Sequence, residues 1–527
     1  MPSAITISQL SYSAPDGRQL FNKIDLSFNA GRTGIVGRNG GGKSTLLGLT
    51  MGTLVASSGT VAVHGRVAML RQDVGASDGE TIMDLFDVRA PWLAMQRAIA
   101  GDAALEDFDT IDWTLEARIE EALSSFGLVA TAETVLAELS GGQRVRAALA
   151  ALEFAQPDII LLDEPTNNLD REGRAAVLHL LKRWRGTAIV VSHDRELLEE
   201  MDTIVELTGL GARSYGGNYS FYRERKALEL AAAQHDLDVA QQQKNDAARS
   251  AQQAKERQDR RNASGRKSAA RGGAPKILLG GLKRQAEGTS GSIDKLGQRL
   301  AAAADDAIRA AREQIEVLTP FAVKLAPTGL HAGKVVLRAS GSTGGYVPDA
   351  PVIRGIDFEI MGPERVALVG RNGAGKSTAL KLLTGTLPST AGRVEAFGAV
   401  AMLDQHVGLL NRDETVLENF QRLNPDSTIN DGRAVLAAFK FRNDAALQTV
   451  GTLSGGELLR AGLACVLGGV ATPMLLVLDE PTNHLDIEAI EVVEAGLRAF
   501  DGALLVVSHD TAFLENIGVT RWVEIGG

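Results

Sequence analysis

Residues Gly37–Ser44 read GRNGGGKS, after the apolar run Thr33-Gly34-Ile35-Val36 and before the apolar stretch Thr45–Leu49. The pattern G-x-x-x-x-G-K-[ST] between a strand and a helix is that of a phosphate-cradling P-loop. Its glycines let backbone N–H groups approach phosphate oxygens, and the helix N-terminus adds partial positive charge. The expected phosphate contacts are Gly37, Asn39, Gly40, Gly42, Lys43 and Ser44, with Thr45 beside them. Lys43 would reach the β- and γ-phosphates and Ser44 would hold Mg²⁺. A single match could equally be a glycine turn opening an ordinary helix. The loop occurs twice, however: Gly370–Ser377 reads GRNGAGKS after Val366-Ala367-Leu368-Val369. Its expected contacts are Gly370, Asn372, Gly373, Gly375, Lys376, Ser377 and Thr378.

Outward from each loop the chain repeats the same order of signals. In the first copy, residues 1–222, Ile5–Ile7 and Ile24–Phe28 read as strands, with Tyr12 between them either stacking on an adenine or packed at a sheet edge. Gln72 follows the strand Val67–Leu70, and Ile82–Leu123 reads as mostly helical with a loop near Gly101–Asp112. Leu139-Ser140-Gly141-Gly142-Gln143 opens a helix through Glu153. The apolar run Ile159–Leu162 leads into DEPTNNLD at Asp163–Asp170, and Ala188–Val191 ends at Ser192-His193-Asp194. In the second copy, residues 331–527, Gln405 follows Val400–Leu403 and Leu453-Ser454-Gly455-Gly456-Glu457 opens a helix. Leu475–Leu478 leads into DEPTNHLD at Asp479–Asp486, and Leu504–Val507 into Ser508-His509-Asp510. Strands alternating with helices predict an α/β fold with a mainly parallel sheet in each copy. The loop lysine and the serine of the S-G-G motif are 97 residues apart in the first copy and 78 in the second. The additional 19 residues are expected in a helical insert around 78–112.

A chain of 527 residues implies two to four domains. One cysteine, Cys465 in an apolar run, excludes an internal disulfide framework and reads as a buried small hydrophobe. No window of about 18 apolar residues exists to span a bilayer, and no secretory signal opens the chain, so a cytoplasmic protein is expected.

Between the copies, residues 223–330 change character. No aromatic residue occurs between Tyr222 and Phe321. Leu230, Leu237, Lys244 and Ala251 fall seven apart, with Ala233, Ala240, Ala247 and Ala254 three positions later. Ile293, Leu300, Ala307 and Gln314, with Leu296, Ala303, Ala310 and Val317, repeat the pattern. Two antiparallel helices with a small-residue seam are expected, the first about 40 residues long. Residues 266–276, rich in glycine, are expected to form the loop at the tip. From Lys244 to Arg284 there are 12 Lys and Arg against three Asp and Glu, a net of +9 on a chain of net −10. Such a patch fits a phosphate backbone, and the missing aromatics favour RNA recognised by shape rather than by base stacking. The candidate contacts are Arg257, Arg260, Arg261, Arg266, Lys267, Arg271, Lys276, Lys283 and Arg284.

P-loop, LSGG(Q/E), apolar strand with Asp-Glu and a later histidine, twice in register over some 420 residues, resemble tandem ATP-binding cassettes. DEPTNNLD, DEPTNHLD and the basic linker narrow the resemblance to the ABC-F subfamily, soluble twin-cassette ATPases, many of which act on the ribosome. The resemblance implies an ATPase, with head-to-tail closure on two ATP molecules so that each P-loop faces the other cassette's Ser140-Gly141-Gly142 or Ser454-Gly455-Gly456. It also implies roles: Asp163 and Asp479 with Gln72 and Gln405 at Mg²⁺, Glu164 and Glu480 as general bases, and His193 and His509 as donors to the γ-phosphate. A ribosomal partner touched through tRNA or rRNA, and a monomer with intramolecular cassette pairing, are the matching expectations. The second copy lacks a clear counterpart of Tyr12, Tyr346 fitting only with a shifted alignment, and the chain shows no extended C-terminal tail. The alternatives are an ATPase subunit of a membrane transporter and a DNA-structural ATPase.

Overall fold

The computed structural model describes residues 4–70, 79–102, 111–167, 169–209, 211–270, 325–347, 349–483 and 485–525. The chain divides into one unit of Met1–Ser220 with Phe321–Gly527, and a second of Phe221–Pro320.

In the first unit the N-terminal copy runs β1 (Ile5–Ser13), β2 (Gln19–Phe28), β3 (Gly31–Gly37), α1 (Lys43–Met51), β4 (Ser58–Val63) and β5 (Val67–Met69). Helices α2 (Ile82–Leu85), α3 (Arg89–Ala100), α4 (Leu115–Ser125) and α5 (Gly141–Ala155) follow. Then come β6 (Ile159–Asp163), α6 (Arg171–Arg183), β7 (Thr187–Val191), α7 (Arg195–Glu199), β8 (Thr203–Thr208) and β9 (Gly211–Gly216). The main sheet has the order β5-β6-β7-β3-β8-β9, parallel except for the antiparallel β8–β9 pair. A separate antiparallel sheet, β2-β1-β4, packs its apolar face with α1 and the main sheet.

After the linker helix α8 (Tyr219–Ala270), the C-terminal copy repeats the plan. It contains β10 (Val335–Gly344), β11 (Ile353–Met361), β12 (Arg365–Val369), α9 (Lys376–Leu383), β13 (Ala391–Ala396) and β14 (Val400–Leu403). Next are α10 (Val416–Leu423), α11 (Ile429–Ala438), α12 (Gly455–Leu467), β15 (Leu475–Asp479), α13 (Ile487–Ala499), β16 (Ala503–Val507), α14 (Thr511–Asn516) and β17 (Arg521–Glu524). Its main sheet, β14-β15-β16-β12-β17, is all parallel, and β11-β10-β13 is the antiparallel partner. Every residue of β6, β7, β15 and β16 is buried. Strands covered on both faces read as unbroken apolar runs, which is what made them legible.

The parallel order decides where chemistry can occur. β3, β6 and β7 pair in register, so Ile35, Asp163 and Val191 end at the same edge. Ligands of open α/β sheets bind outside the carboxyl ends of the strands, and both copies gather their motifs there.

Helix α8, all but its first two residues in the second unit, runs for 52 residues, about 78 Å at the α-helical rise. This corrects the expectation that the chain leaves the helix at Arg266. Residues 266–270 are Arg, Lys, Ser and two Ala, which a helix accommodates, and the glycine pair comes only at Gly272 and Gly273. Along its first heptads Ala233 and Ala240 are buried and Leu230 and Leu237 half-buried. Arg257 and Arg260 are exposed, while Arg261, Arg266 and Lys267 lie on the helix's last turns. Arg271, Lys276, Lys283 and Arg284, and the second helix expected from Ile293, lie outside the described residues.

Candidate active sites

The glycine loops take shapes that only glycine permits. Gly37 and Gly370 each have φ 152°, and a Cβ would stand 2.4 Å from the carbonyl of Leu207 or Ile525. Gly42 (φ 93°) and Gly375 (φ 92°) turn the chain into α1 and α9, with Phe21 or Val352 filling the space a side chain would need. Lys43 lies back across its own loop, its Nζ donating to the carbonyls of Gly37 (2.8 Å) and Arg38 (3.1 Å). Lys376 does the same toward Gly370 (2.9 Å) and Arg371 (3.1 Å). Both amines are buried, and burial lowers their proton affinity. Asn39, Gly40, Asn372 and Gly373 line the exposed outer part of each loop, and Ser44 and Ser377 point outward while Thr45 and Thr378 begin to sink into the core.

At the ends of β6 and β15, Asp163 and Asp479 are buried and the following glutamates are bent. Glu164 has φ 45° and Glu480 φ 47°, a left-handed conformation unusual for a residue with a side chain. Their amides donate to Val191 and Val507, 2.8 Å in each case, so each bend is tied to the neighbouring strand. That strand delivers the histidine. His193 Nε2 lies 3.2 Å from Glu164 Oε1, and His509 Nε2 lies 3.4 Å from Glu480 Oε1. Burial, more than any neighbour, pushes Glu164 up to about 8 and Glu480 to about 7, and pulls His193 down to about 3 and His509 to about 4. Each pair thus sets an imidazole of lowered proton affinity against a carboxyl of raised proton affinity.

The metal question turns on Asp479. Ser377 hydrogen-bonds its carboxyl, while Oδ1 is buried with no hydrogen-bond partner. One hydroxyl and one carboxylate, with no cluster of three acidic, His or Cys ligands among the described residues, suit a Mg²⁺ that is also coordinated by phosphate and water. Ser44 and Asp163 are the matching residues of the first copy. Gln405 is exposed two residues beyond β14, and Gln72 lies outside the described residues.

The S-G-G motifs form capping boxes. Ser140 Oγ accepts from the amide of Gln143 (3.3 Å) and its own amide donates to Gln143 Oε1 (2.9 Å). Ser454 and Glu457 repeat this at 3.4 and 2.9 Å. Gly141 and Gly142, or Gly455 and Gly456, then open α5 and α12, with Gly141 and Gly455 exposed at the helix end and Gly456 buried.

The two copies meet through these loops. The amide of Asn39 donates to Asp486 Oδ2 (3.0 Å), and the amide of Asn372 to Asp170 Oδ2 (3.3 Å). Arg38 lies 3.8 Å from Glu488 and Arg371 3.5 Å from Glu172. Each P-loop is therefore roofed by the last residues of the other copy's DEPTN-x-LD motif. Sequence reasoning quoted that motif but gave Asp170 and Asp486 no role. Their distance from the partner loops, more than 200 residues, left no local signal.

Tyr12 is half-buried on β1 opposite Phe21 and packs against the core of its copy. Ile353, which like Phe21 covers the glycine before the loop lysine, pairs with Gly344. Gly344 is thus the register counterpart of Tyr12. Tyr346 stands two residues further, 61% exposed, with Lys381 Nζ 5.6 Å from its ring centroid.

The sequence model of the ABC transporter family matches residues 21–167 and 353–483. The chain is 30% identical to the putative ATP-binding protein YdiF of Bacillus subtilis, over 99% of this chain and 80% of that one. It is 32% identical to the tylosin resistance ATP-binding protein TlrC of Streptomyces fradiae (94% and 92%), and 30% to the ATP-binding protein Uup of Escherichia coli (94% and 76%). In fold it is similar to the archaeal ribosome recycling factor aABCE1, solved in complex with a ribosomal stalk protein. The TM-score is 0.58 at 19% identity, covering 98% of this chain and 87% of that one. With two cassettes in one α/β chain and near full-length kinship to these proteins, the chain belongs to the ABC-F subfamily of ATP-binding cassette proteins and is an ATPase.

Proposed function

We propose that the protein hydrolyses MgATP at two composite sites and uses the cycle of cassette apposition to move a basic arm against ribosomal RNA or tRNA. In each site the loop amides and Lys43 or Lys376 hold the phosphates, and the helix N-terminus at Ser454 or Ser140 of the opposite cassette completes the cradle. Glu164 and Glu480 take the proton of the attacking water, and His193 and His509 donate toward the γ-phosphate as charge develops there. Ser44 with Asp163, and Ser377 with Asp479, would hold Mg²⁺, assisted by Gln72 and Gln405. The metal would supply neutralisation of the phosphate charge. Tyr12 stacks on the adenine of the first site. The residue charges of the arm are the observation that carries the ribosomal reading: +9 between Lys244 and Arg284 on a chain of net −10.

A cytoplasmic monomer follows from the same reading. The alternative, the ATPase subunit of a membrane transporter, is not favoured by the near full-length relatives, which are named as ATP-binding proteins. The relative named for tylosin resistance supports antibiotic protection as one use of such an arm. Sedimentation of the Glu164→Gln, Glu480→Gln double variant with ribosomes in MgATP tests the proposal. Co-sedimentation that weakens steeply with salt is expected. A double variant that binds ATP yet stays in the supernatant at moderate salt contradicts it.

A further inference from the structure

The contacts between the cassettes are reciprocal up to a point and then stop being so. Asp170 with Glu172, and Asp486 with Glu488, make matching contacts to the opposite P-loop. Four residues after each aspartate, on the same face of α6 or α13, the copies differ: Arg174 in the first, Ile490 in the second. The residue after Ser-His-Asp also differs, Arg195 against Thr511. Glu494, which Arg195 bonds across the interface at 2.5 Å, has Leu178 as its counterpart. Arg174 and Arg195 of the first cassette therefore have no cationic counterparts at the matching positions of the second.

Arg174 is fixed at one end. Its Nη1 donates to Asp194 Oδ2 at 2.8 Å, and Asp194 follows His193 and caps α7 through the amides of Glu196 and Leu197. Both side chains are largely buried, and Arg174 Nε, also buried, makes no hydrogen bond. Arg174 stands one turn along α6 from Asp170, whose carboxylate takes the amide of Asn372 in the second P-loop, so the same helix face carries its charge toward the second cassette's site. One turn along α13 from Asp486, whose carboxylate takes the amide of Asn39, the matching residue is Ile490, so that helix brings no such charge toward Glu164 and His193.

We propose that Arg174 is a positioning residue supplied by the first cassette to the site built on Lys376, Glu480 and His509. The site built on Lys43, Glu164 and His193 has no equivalent, so the two sites turn over ATP at different rates. Because Arg174 rides on the helix whose cap, Asp170, touches the second P-loop, its charge arrives only when the cassettes are apposed. Separation withdraws it, and hydrolysis at that site is thereby conditional on closure. The first site, completed in trans from Ser454, closes with an isoleucine in the same place and gains no such charge.

The inference rests on Glu164 and Glu480 being the bases, and the test separates the two ideas. Glu164→Gln leaves the second site working, and Glu480→Gln leaves the first. Arg174→Ile, which copies the residue at position 490, is expected to lower kcat about tenfold in the Glu164→Gln background with KM for ATP nearly unchanged. In the Glu480→Gln background it is expected to change kcat less than twofold, and Arg174→Lys is expected to restore much of the loss. A damaged interface would depress both backgrounds alike. Equal losses, or no loss with Glu164→Gln, overturn the proposal. If neither glutamine variant lowers turnover, the base assignment falls instead, and the same comparison in Lys43→Ala and Lys376→Ala decides Arg174 by the same criterion.

Discussion

The two composite sites share a plan but not an electrostatic setting. Each has a glycine loop, a bent glutamate, a histidine of lowered proton affinity and a roof from the other cassette. One turn past the roofing aspartate, the helix over the Glu480 site carries Arg174 and the helix over the Glu164 site carries Ile490. The parts that are the same are those on which phosphate geometry acts directly. The parts that differ lie at the centre of the interface, where a charge can be gained or lost without disturbing a loop. Tandem fusion permits this, because two copies in one chain are free to diverge as two identical subunits are not.

The strongest way to break the comparison is to remove the proposed bases. Replacing both Glu164 and Glu480 with Gln is expected to stop turnover while MgATP remains bound, and the single variants are expected to differ. Loss of a general base costs on the order of 100- to 10,000-fold per site. Steady-state phosphate release should therefore leave more activity in Glu164→Gln than in Glu480→Gln. Equal residual rates would make the sites equivalent after all.

Next in size is the Arg195–Glu494 pair, whose side chains are 7% and 4% exposed. Arg195→Leu strands a buried carboxylate, which also accepts from Asn516 at 3.1 Å, and should cost about 3–5 kcal/mol in denaturant melts. Adding Glu494→Leu should return most of that stability. A single variant as stable as the parent would show the cassettes are not held there.

Asp170→Ala and Asp486→Ala each remove a charge-assisted bond to a P-loop amide, worth roughly 1.5–3 kcal/mol. ATP titration should show weaker closure in both, with Asp486→Ala, which loses the shorter bond, the more affected. The smallest effect concerns the adenine. Tyr12→Ala should weaken ATP binding at the first site by about 0.5–1.5 kcal/mol, a few-fold. Tyr346→Ala makes the same test at the second. An effect there would show that Tyr346, with Gly344 in register, has taken over the role from outside the strand.

How much of this was legible follows from where the information sits. The loops, the S-G-G helix starts and the strand-end aspartates are local patterns, and β6 and β15 announced themselves by being apolar throughout. The left-handed bend at Glu164 and Glu480 is invisible in sequence, since glutamate carries no preference for it; the bond to the next strand imposes it. The antiparallel sheets β2-β1-β4 and β11-β10-β13 were only partly read. Bulges break their alternation at Ile7/Leu10 and Ala339/Ser342. Asp170, Asp486, Arg174 and Arg195 acquire their meaning from the other cassette, which no window of sequence contains. α8 is longer than its glycine-rich end suggests, because the glycine pair of the sequence comes only at Gly272 and Gly273.

The central claim is that each site is completed in trans, and nucleotide labelling tests it most directly. In the Glu164→Gln, Glu480→Gln background, a photoreactive azido-ATP should mark peptides of both P-loops. Adding Ser140→Arg, a change within the first cassette, should abolish the label at Gly370–Ser377 and leave that at Gly37–Ser44. Loss of the label from Gly37–Ser44 instead would mean that each cassette completes its own site, and the account of a paired, nucleotide-closed machine would be wrong.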